Sequence, residues 1–178
     1  LCQSWRLRKM AATVPFNGLT NFSAQSAKVF RMTVANTTSG GYITSNWESA
    51  DDAAAGAFGT TTVAVSSGVF SFTSTGLYRI TAHTSGYINN ECRYIGTQIV
   101  FTNDNSSYND EMAVAYDGIS GDTSAFYWAN MTATCIADIT DTTNQKCKMY
   151  IEGDATPVFQ GSSTMNYTYI MFERLGDT

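Results

Sequence analysis

Apolar residues recur along this chain with a period of two far more often than with a period near 3.6, which predicts strands in place of helices. In residues 28–34, Phe30, Met32 and Val34 fall on one face and Arg31 and Thr33 on the other, as in a half-buried strand. Further strands are predicted over 60–65, 69–72, 77–87, 94–102, 112–116, 124–139, 146–151, 157–160 and 166–172, separated by clusters of Gly, Asn, Asp and Ser. The helical candidate is the Ala-rich stretch 48–57, which Gly56 interrupts. About ten short strands without alternating helices predict an all-β sandwich or jelly roll. The stretches 36–59 and 103–111 are loop-sized and no linker divides the series, so residues 28–178 read as one domain preceded by an N-terminal arm, 1–27.

The last predicted strand departs from clean alternation. One of its faces carries Tyr167, Tyr169 and Met171, and the other Thr168, Ile170 and Phe172. A strand apolar on both faces must be covered on both, and a two-layer sandwich covers only the inner one. Either the chain's own loops partly cover the outer face, or neighbouring subunits of a symmetric oligomer do, the favoured reading because aromatic and Met side chains are enriched at such interfaces. Tyr167, Tyr169, Ile170, Met171 and Phe172 are therefore the expected subunit interface.

At 178 residues, 43% apolar and 14% charged, the chain can build a core. Net charge is −5, and because Arg6, Arg8 and Lys9 all lie near the start, the remainder carries about −8. Phosphate contacts need clustered Lys and Arg, so a nucleic-acid partner is not expected. No apolar run approaches the roughly 18 residues of a spanning helix, so no membrane insertion is expected either. The basic segment 1–9 reads either as an anchoring arm or as residues upstream of a start at Met10.

The run from Gly68 to Ile80, GVFSFTSTGLYRI, resembles the signature of the complement C-one-q globular-head and tumour necrosis factor superfamily. There an aromatic strand, a turn with Gly and a Gly-x-Tyr-x-apolar strand follow one another, and Phe70, Phe72, Gly76, Tyr78 and Ile80 fill those places. Residues 149–154, ending in Gly153 and Asp154, look like the family's strand that ends in Gly-Asp before the next strand, and 167–175 like its closing aromatic strand. The ending from Met171 to Gly176, MFERLG, is similar to that of phage versions. The resemblance covers about 28–176 and departs from complement members at Ile80 and in lacking a collagen region. It implies a ten-stranded antiparallel jelly roll forming a homotrimer, with the last strand near the threefold axis.

Candidate chemistry is sparse. His83 shares a strand face with Arg79 and Thr81, and no nucleophile motif such as G-x-S-x-G accompanies it, so a surface or interface imidazole is expected and no enzyme. Acidic loops place Asp104, Asp110, Asp117 and Asp122 among other oxygen ligands, a weak calcium motif without EF-hand spacing that ordinary turns also require. No other cofactor is expected. Cys2, Cys92, Cys135 and Cys147 form no CxxC pair, and Cys135 and Cys147 flank a predicted hairpin turn where a disulfide or two buried thiols would fit. Sequons begin at Asn21, Asn36, Asn105, Asn130 and Asn166. Loop aromatics Tyr42, Trp47, Tyr108, Tyr127 and Trp128 serve either packing or a carbohydrate- or receptor-contacting surface.

These features lead to two expectations. The first is a virion structural protein: a trimer that decorates a capsid or forms a fibre knob, attached to other virion proteins by its N-terminal arm and facing a host glycan or receptor. The second is a secreted receptor- or glycan-binding ligand of the same superfamily, with glycans on its sequons and a disulfide among Cys92, Cys135 and Cys147. A carbohydrate-active enzyme, the third class, would require two carboxylates on one concave surface.

Overall fold

Along Tyr127–Ile139 the side chains alternate between water and interior for the whole strand, with Ala129, Met131, Ala133, Cys135, Ala137 and Ile139 inside. The same alternation builds the rest of the molecule. The computed structural model describes residues 26–50, 56–59, 63–120 and 126–178. Within them run β1 (Ser26–Met32), β2 (Asn36–Thr37), β3 (Gly40–Tyr42), β4 (Trp47–Ser49), β5 (Ala57–Phe58), β6 (Val63–Ser66) and β7 (Val69–Phe72). There follow β8 (Gly76–Ile88), β9 (Cys92–Thr102), β10 (Asp110–Ile119), β11 (Tyr127–Ile139), β12 (Lys146–Gly153), β13 (Val158–Phe159) and β14 (Tyr169–Gly176).

Every pairing is antiparallel. In the first sheet β8 is the spine. Its whole length pairs with β11 on one side, while β14 and β13 share the other; β14 then pairs with β1, β1 with β4 and β5, and β13 with β2. The second sheet runs β10-β9-β12-β7-β6, with β3 also on the edge of β12. The two sheets close over one core, in the manner of a jelly roll.

At its centre Phe70 contacts Phe30, Trp47 and Phe172 with ring centroids 5.4, 5.2 and 5.3 Å apart, and Phe72 packs on Tyr78 at 4.9 Å. The signature residues Phe70, Phe72, Tyr78 and Ile80 are all core, and the Tyr78 hydroxyl donates to the Ser74 carbonyl at 2.9 Å, so its buried tip is satisfied. Gly76 has φ of 142°, and a Cβ there would stand 2.5 Å from the Gly176 carbonyl oxygen, which makes glycine necessary at this turn.

All ten predicted strands have counterparts, and four short ones are added. The helical candidate 48–57 holds strand at both ends, since β4 and β5 both pair with β1, and residues 51–55 lie outside the described residues. Pairing sets Glu48 opposite Arg31, whose guanidinium donates to its carboxylate at 2.7 Å. Arg31, expected on a solvent face, is consequently buried, while Val34, expected inside, is exposed because β1 ends at Met32. The final strand begins at Tyr169, later than predicted, after a turn in which the Ser162 hydroxyl accepts from the N–H groups of Thr164 and Met165. It then runs on through charged residues because each is paired: Glu173 with Arg79, and Arg174 with the Thr75 carbonyl and Asp177.

Cys135 and Cys147 do not lie on neighbouring strands: β11 belongs to the first sheet and β12 to the second. Cys92, Cys135 and Cys147 are free, buried thiols; burial pushes Cys135 up to about 11, and burial with the nearby Cys135 raises Cys147 well above its ordinary value. Cys2 and the arm up to residue 25 lie outside the described residues.

Candidate binding surfaces

Two outer faces hold the side chains that the core does not use. On the first sheet, register aligns three cross-strand rows. Arg31, Tyr169, His83 and Thr132 form one, Val29, Met171, Thr81 and Thr134 the next, and Ala27, Glu173, Arg79 and Ile136 the third. The His83 ring stacks on Tyr169 at 5.2 Å and 28°, and its Nδ1 bonds the Thr132 hydroxyl at 2.8 Å. Burial lowers the His83 pKa, so the neutral imidazole is favoured. Arg79 and Glu173 form a two-point ion pair at 2.6 and 2.7 Å. Further along, Tyr87 meets Trp128 at 4.6 Å and Phe126 at 5.2 Å, and Trp128, Phe126 and Ile136 are more than half exposed.

Of the five residues expected at a subunit interface, Tyr169 and Met171 are half-buried on this outer face, and Tyr167 is half-buried just before β14. Ile170 and Phe172 are a correction: the period of two turns them inward, where they are fully buried in the subunit's own core.

The second sheet's outer face carries a cluster of tyrosines. Tyr42 on β3 pairs across to Tyr150 on β12, which pairs to Gln98 on β9; one residue-pair further, Glu152 faces Gly96, and Gly96 faces Tyr116 on β10. A Cβ at Gly96 would overlap the Tyr116 ring, so glycine lets that ring lie across β9 and its hydroxyl donate to Glu152 Oε1 at 2.6 Å. Gln98 Nε2 donates to the same oxygen and to the Tyr116 hydroxyl. The Tyr42 and Tyr150 rings meet at 5.2 Å and 78°, and Tyr108 stands 6.3 Å from Tyr42. Lys148 places its ammonium 3.9 Å from the Tyr108 ring centroid and 5.0 Å from that of Tyr42. Between these groups is a depression of about 320 Å³ lined by Tyr42, Gln98, Val100, Tyr108, Asn109, Glu111, Tyr150 and Glu152.

The five aromatics singled out in the sequence therefore divide. Tyr42 and Tyr108 meet in this depression; Trp47 packs on Phe70 and donates its indole N–H to the Ile43 carbonyl; Tyr127 packs against the core; and Trp128 stands on the opposite sheet. Tyr150, Tyr116, Gln98 and Glu152 were not anticipated, although alternation along β12 puts Lys148, Tyr150 and Glu152 on one outward face.

The acidic loops are tied to themselves. Asp104 accepts from the Ser107 N–H, the Thr102 hydroxyl and the Ser106 N–H, bonds that hold its carboxyl far below the usual range; Asp110 accepts from Asn103 at 2.7 Å, and Asp117 from the Gly118 N–H. Asp122 lies outside the described residues, and among those described no three His, Cys, Asp or Glu side chains group as a metal would require.

Comparison with known proteins defines the class through the fold. No protein-family profile matches the chain, and no curated protein matches it in sequence. Solved structures do match. Murine APRIL superposes with a TM-score of 0.56 at 11% identity, over 85% of this chain and 99% of that one. Eiger TNF from S. frugiperda gives 0.63 at 11% identity, over 85% and 93%. The chain is thus an all-β, antiparallel jelly roll of the TNF-like type, the fold that the Gly68–Ile80 signature implied.

Proposed function

We propose that this chain is a non-enzymatic recognition domain that works as a homotrimer: an extracellular ligand of the TNF-like type that engages a receptor or glycan with surfaces outside the trimer core. The observation that carries the reading is the outer face of the first sheet. There Val29 and Met171 pair across the middle row, flanked by Tyr169 in one adjoining row and Ile136 in the other, beside ion pairs already complete, a face suited to burial against copies of itself. The fold neighbours support the ligand reading by analogy of fold alone. On the same outer face the His83 ring is held by Thr132 and Tyr169, as in a surface or interface imidazole.

A second reading, a virion decoration protein or fibre knob anchored by the N-terminal arm, is favoured by the three unpaired thiols. A secreted ligand was expected to carry a disulfide among them. Native and denatured mass of protein from its natural source tests both. A species near three times 19.3 kDa carrying glycans supports the secreted ligand. An unglycosylated trimer that copurifies with particles supports the virion protein, and a monomer overturns the trimeric reading.

A further inference from the structure

We propose that the depression on the outer face of the second sheet, walled by Tyr42, Tyr108 and Tyr150, is a binding site for a neutral saccharide. The proposal deepens and rests on the recognition reading, but the site lies within one subunit and does not need the trimer. A sugar ring offers a face of C–H groups and a rim of hydroxyls. It therefore calls for aromatic surface beside planar hydrogen-bonding groups, a combination that small-ligand pockets share. Tyr42 and Tyr150, at 78° to each other, make a corner of ring surface, and Tyr108 extends it.

The polar groups are fixed before any ligand arrives. Gln98 and Tyr116 both donate to Glu152 Oε1, which locks the carboxylate, while Oε2 accepts no bond among the described residues. Glu111 and Asn109 add an exposed carboxylate and an amide at the rim. Such prearrangement lowers the ordering cost of binding. Gln98 and Val100, both buried in β9 between β10 and β12, form the floor. The volume of about 320 Å³ is at the small end of ligand pockets, suited to one or two sugar rings.

Charge selects among sugars. Glu111 and Glu152 both line the cavity, and the Glu111 charge is felt at Tyr42, whose hydroxyl is pushed up first by burial, then by Tyr150 and Glu111. The Lys148 ammonium is laid over the Tyr108 and Tyr42 rings, so the seat that a ligand cation would take there is filled by the chain itself. Two carboxylates repel sialylated or sulfated sugars, leaving an uncharged saccharide as the fitting occupant.

Saturation-transfer NMR on the full chain, with maltose, cellobiose, lactose and N,N′-diacetylchitobiose as probes and sialyllactose as a charged control, tests the site. At least one neutral disaccharide should receive saturation, strongest along one C–H face, with sialyllactose weaker. Tyr150→Ala and the nearly isosteric Glu152→Gln should each weaken the effect about tenfold or more, whereas Val34→Ser, at an exposed position just beyond β1, should not. Absence of transfer to all four neutral probes overturns the saccharide site, as does transfer that survives both Tyr150→Ala and Glu152→Gln. Failure of the underlying reading shows elsewhere, as a monomer in native mass.

Discussion

Replacing Met171 with lysine separates the stability of the subunit from that of the trimer. The side chain points outward from β14, between Val29 on β1 and Thr81 on β8, and is half-buried in the isolated subunit. At that position an ammonium stays at the water's edge in a monomer, so subunit stability should change by no more than about 0.5 kcal/mol. In a trimer built through this face the charge is buried, and the carboxylates in the adjoining rows are already engaged: Glu173 holds Arg79 through two bonds, and Glu48 holds Arg31. An unpaired buried charge costs about 3 kcal/mol at the low end, hence about 9 kcal/mol over three subunits. That cost corresponds to about 10⁶ in the association constant, enough to dissociate a trimer at micromolar concentration. Sedimentation velocity should show the variant as a 19.3 kDa species with a thermal transition intact. Val114→Lys, on the exposed face of β10, should leave the mass unchanged. A Met171→Lys protein that still sediments as a trimer would refute the assignment of this face.

Other outcomes follow from the interior. Phe70→Ala removes a fully buried ring held by three aromatic neighbours and should cost about 3–5 kcal/mol in denaturant unfolding, so a loss under about 1 kcal/mol would contradict the packing described. Thr97→Val deletes a buried hydroxyl without a hydrogen-bond partner at nearly constant volume and should raise stability by about 1 kcal/mol; a lower melting temperature would mean that the hydroxyl is satisfied. His83 has a folded pKa depressed by burial below its ordinary 6.5, so the unfolded chain takes up the proton first as pH falls. Its contribution is fully present above about pH 6.5 and is lost below that, and His83→Gln should flatten this part of the melting profile.

The fold was largely legible because its long strands are amphipathic with period two, and the signature from Gly68 to Ile80 marks a place where backbone and core both constrain the residue. Gly76 must reach positive φ, and Tyr78 must be apolar in body and polar at its tip. What could not be read were the short strands. β2, β3, β4 and β5 span two or three residues each, too few to show a period; β3, β4 and β5 exist because the longer β12 and β1 offer an edge, and β2 because it pairs with the equally short β13, itself held on β8. Arg31 was misplaced for the same reason: nothing local says that Glu48 will lie beside it and cover that face.

The candidate site failed to show for a different reason, visible in β10. Its apolar residues Met112, Val114 and Tyr116 are exposed, while Ala113 and Ala115 face the core, the reverse of what hydrophobicity would assign. The inward positions of this edge strand pack closely enough that alanine suffices, which frees the outward positions for larger groups. Such an edge invites pairing with another chain, and two register breaks, between Glu111 and Ala113 and between Asp117 and Ile119, interrupt it beside charged residues. The apolar outward row is then available for Tyr116 to lean across Gly96 onto Glu152. Gly96, Tyr116, Gln98 and Glu152 come from three strands and up to 56 positions of sequence, so no local pattern joins them; only the register of β9 with β10 and β12 does.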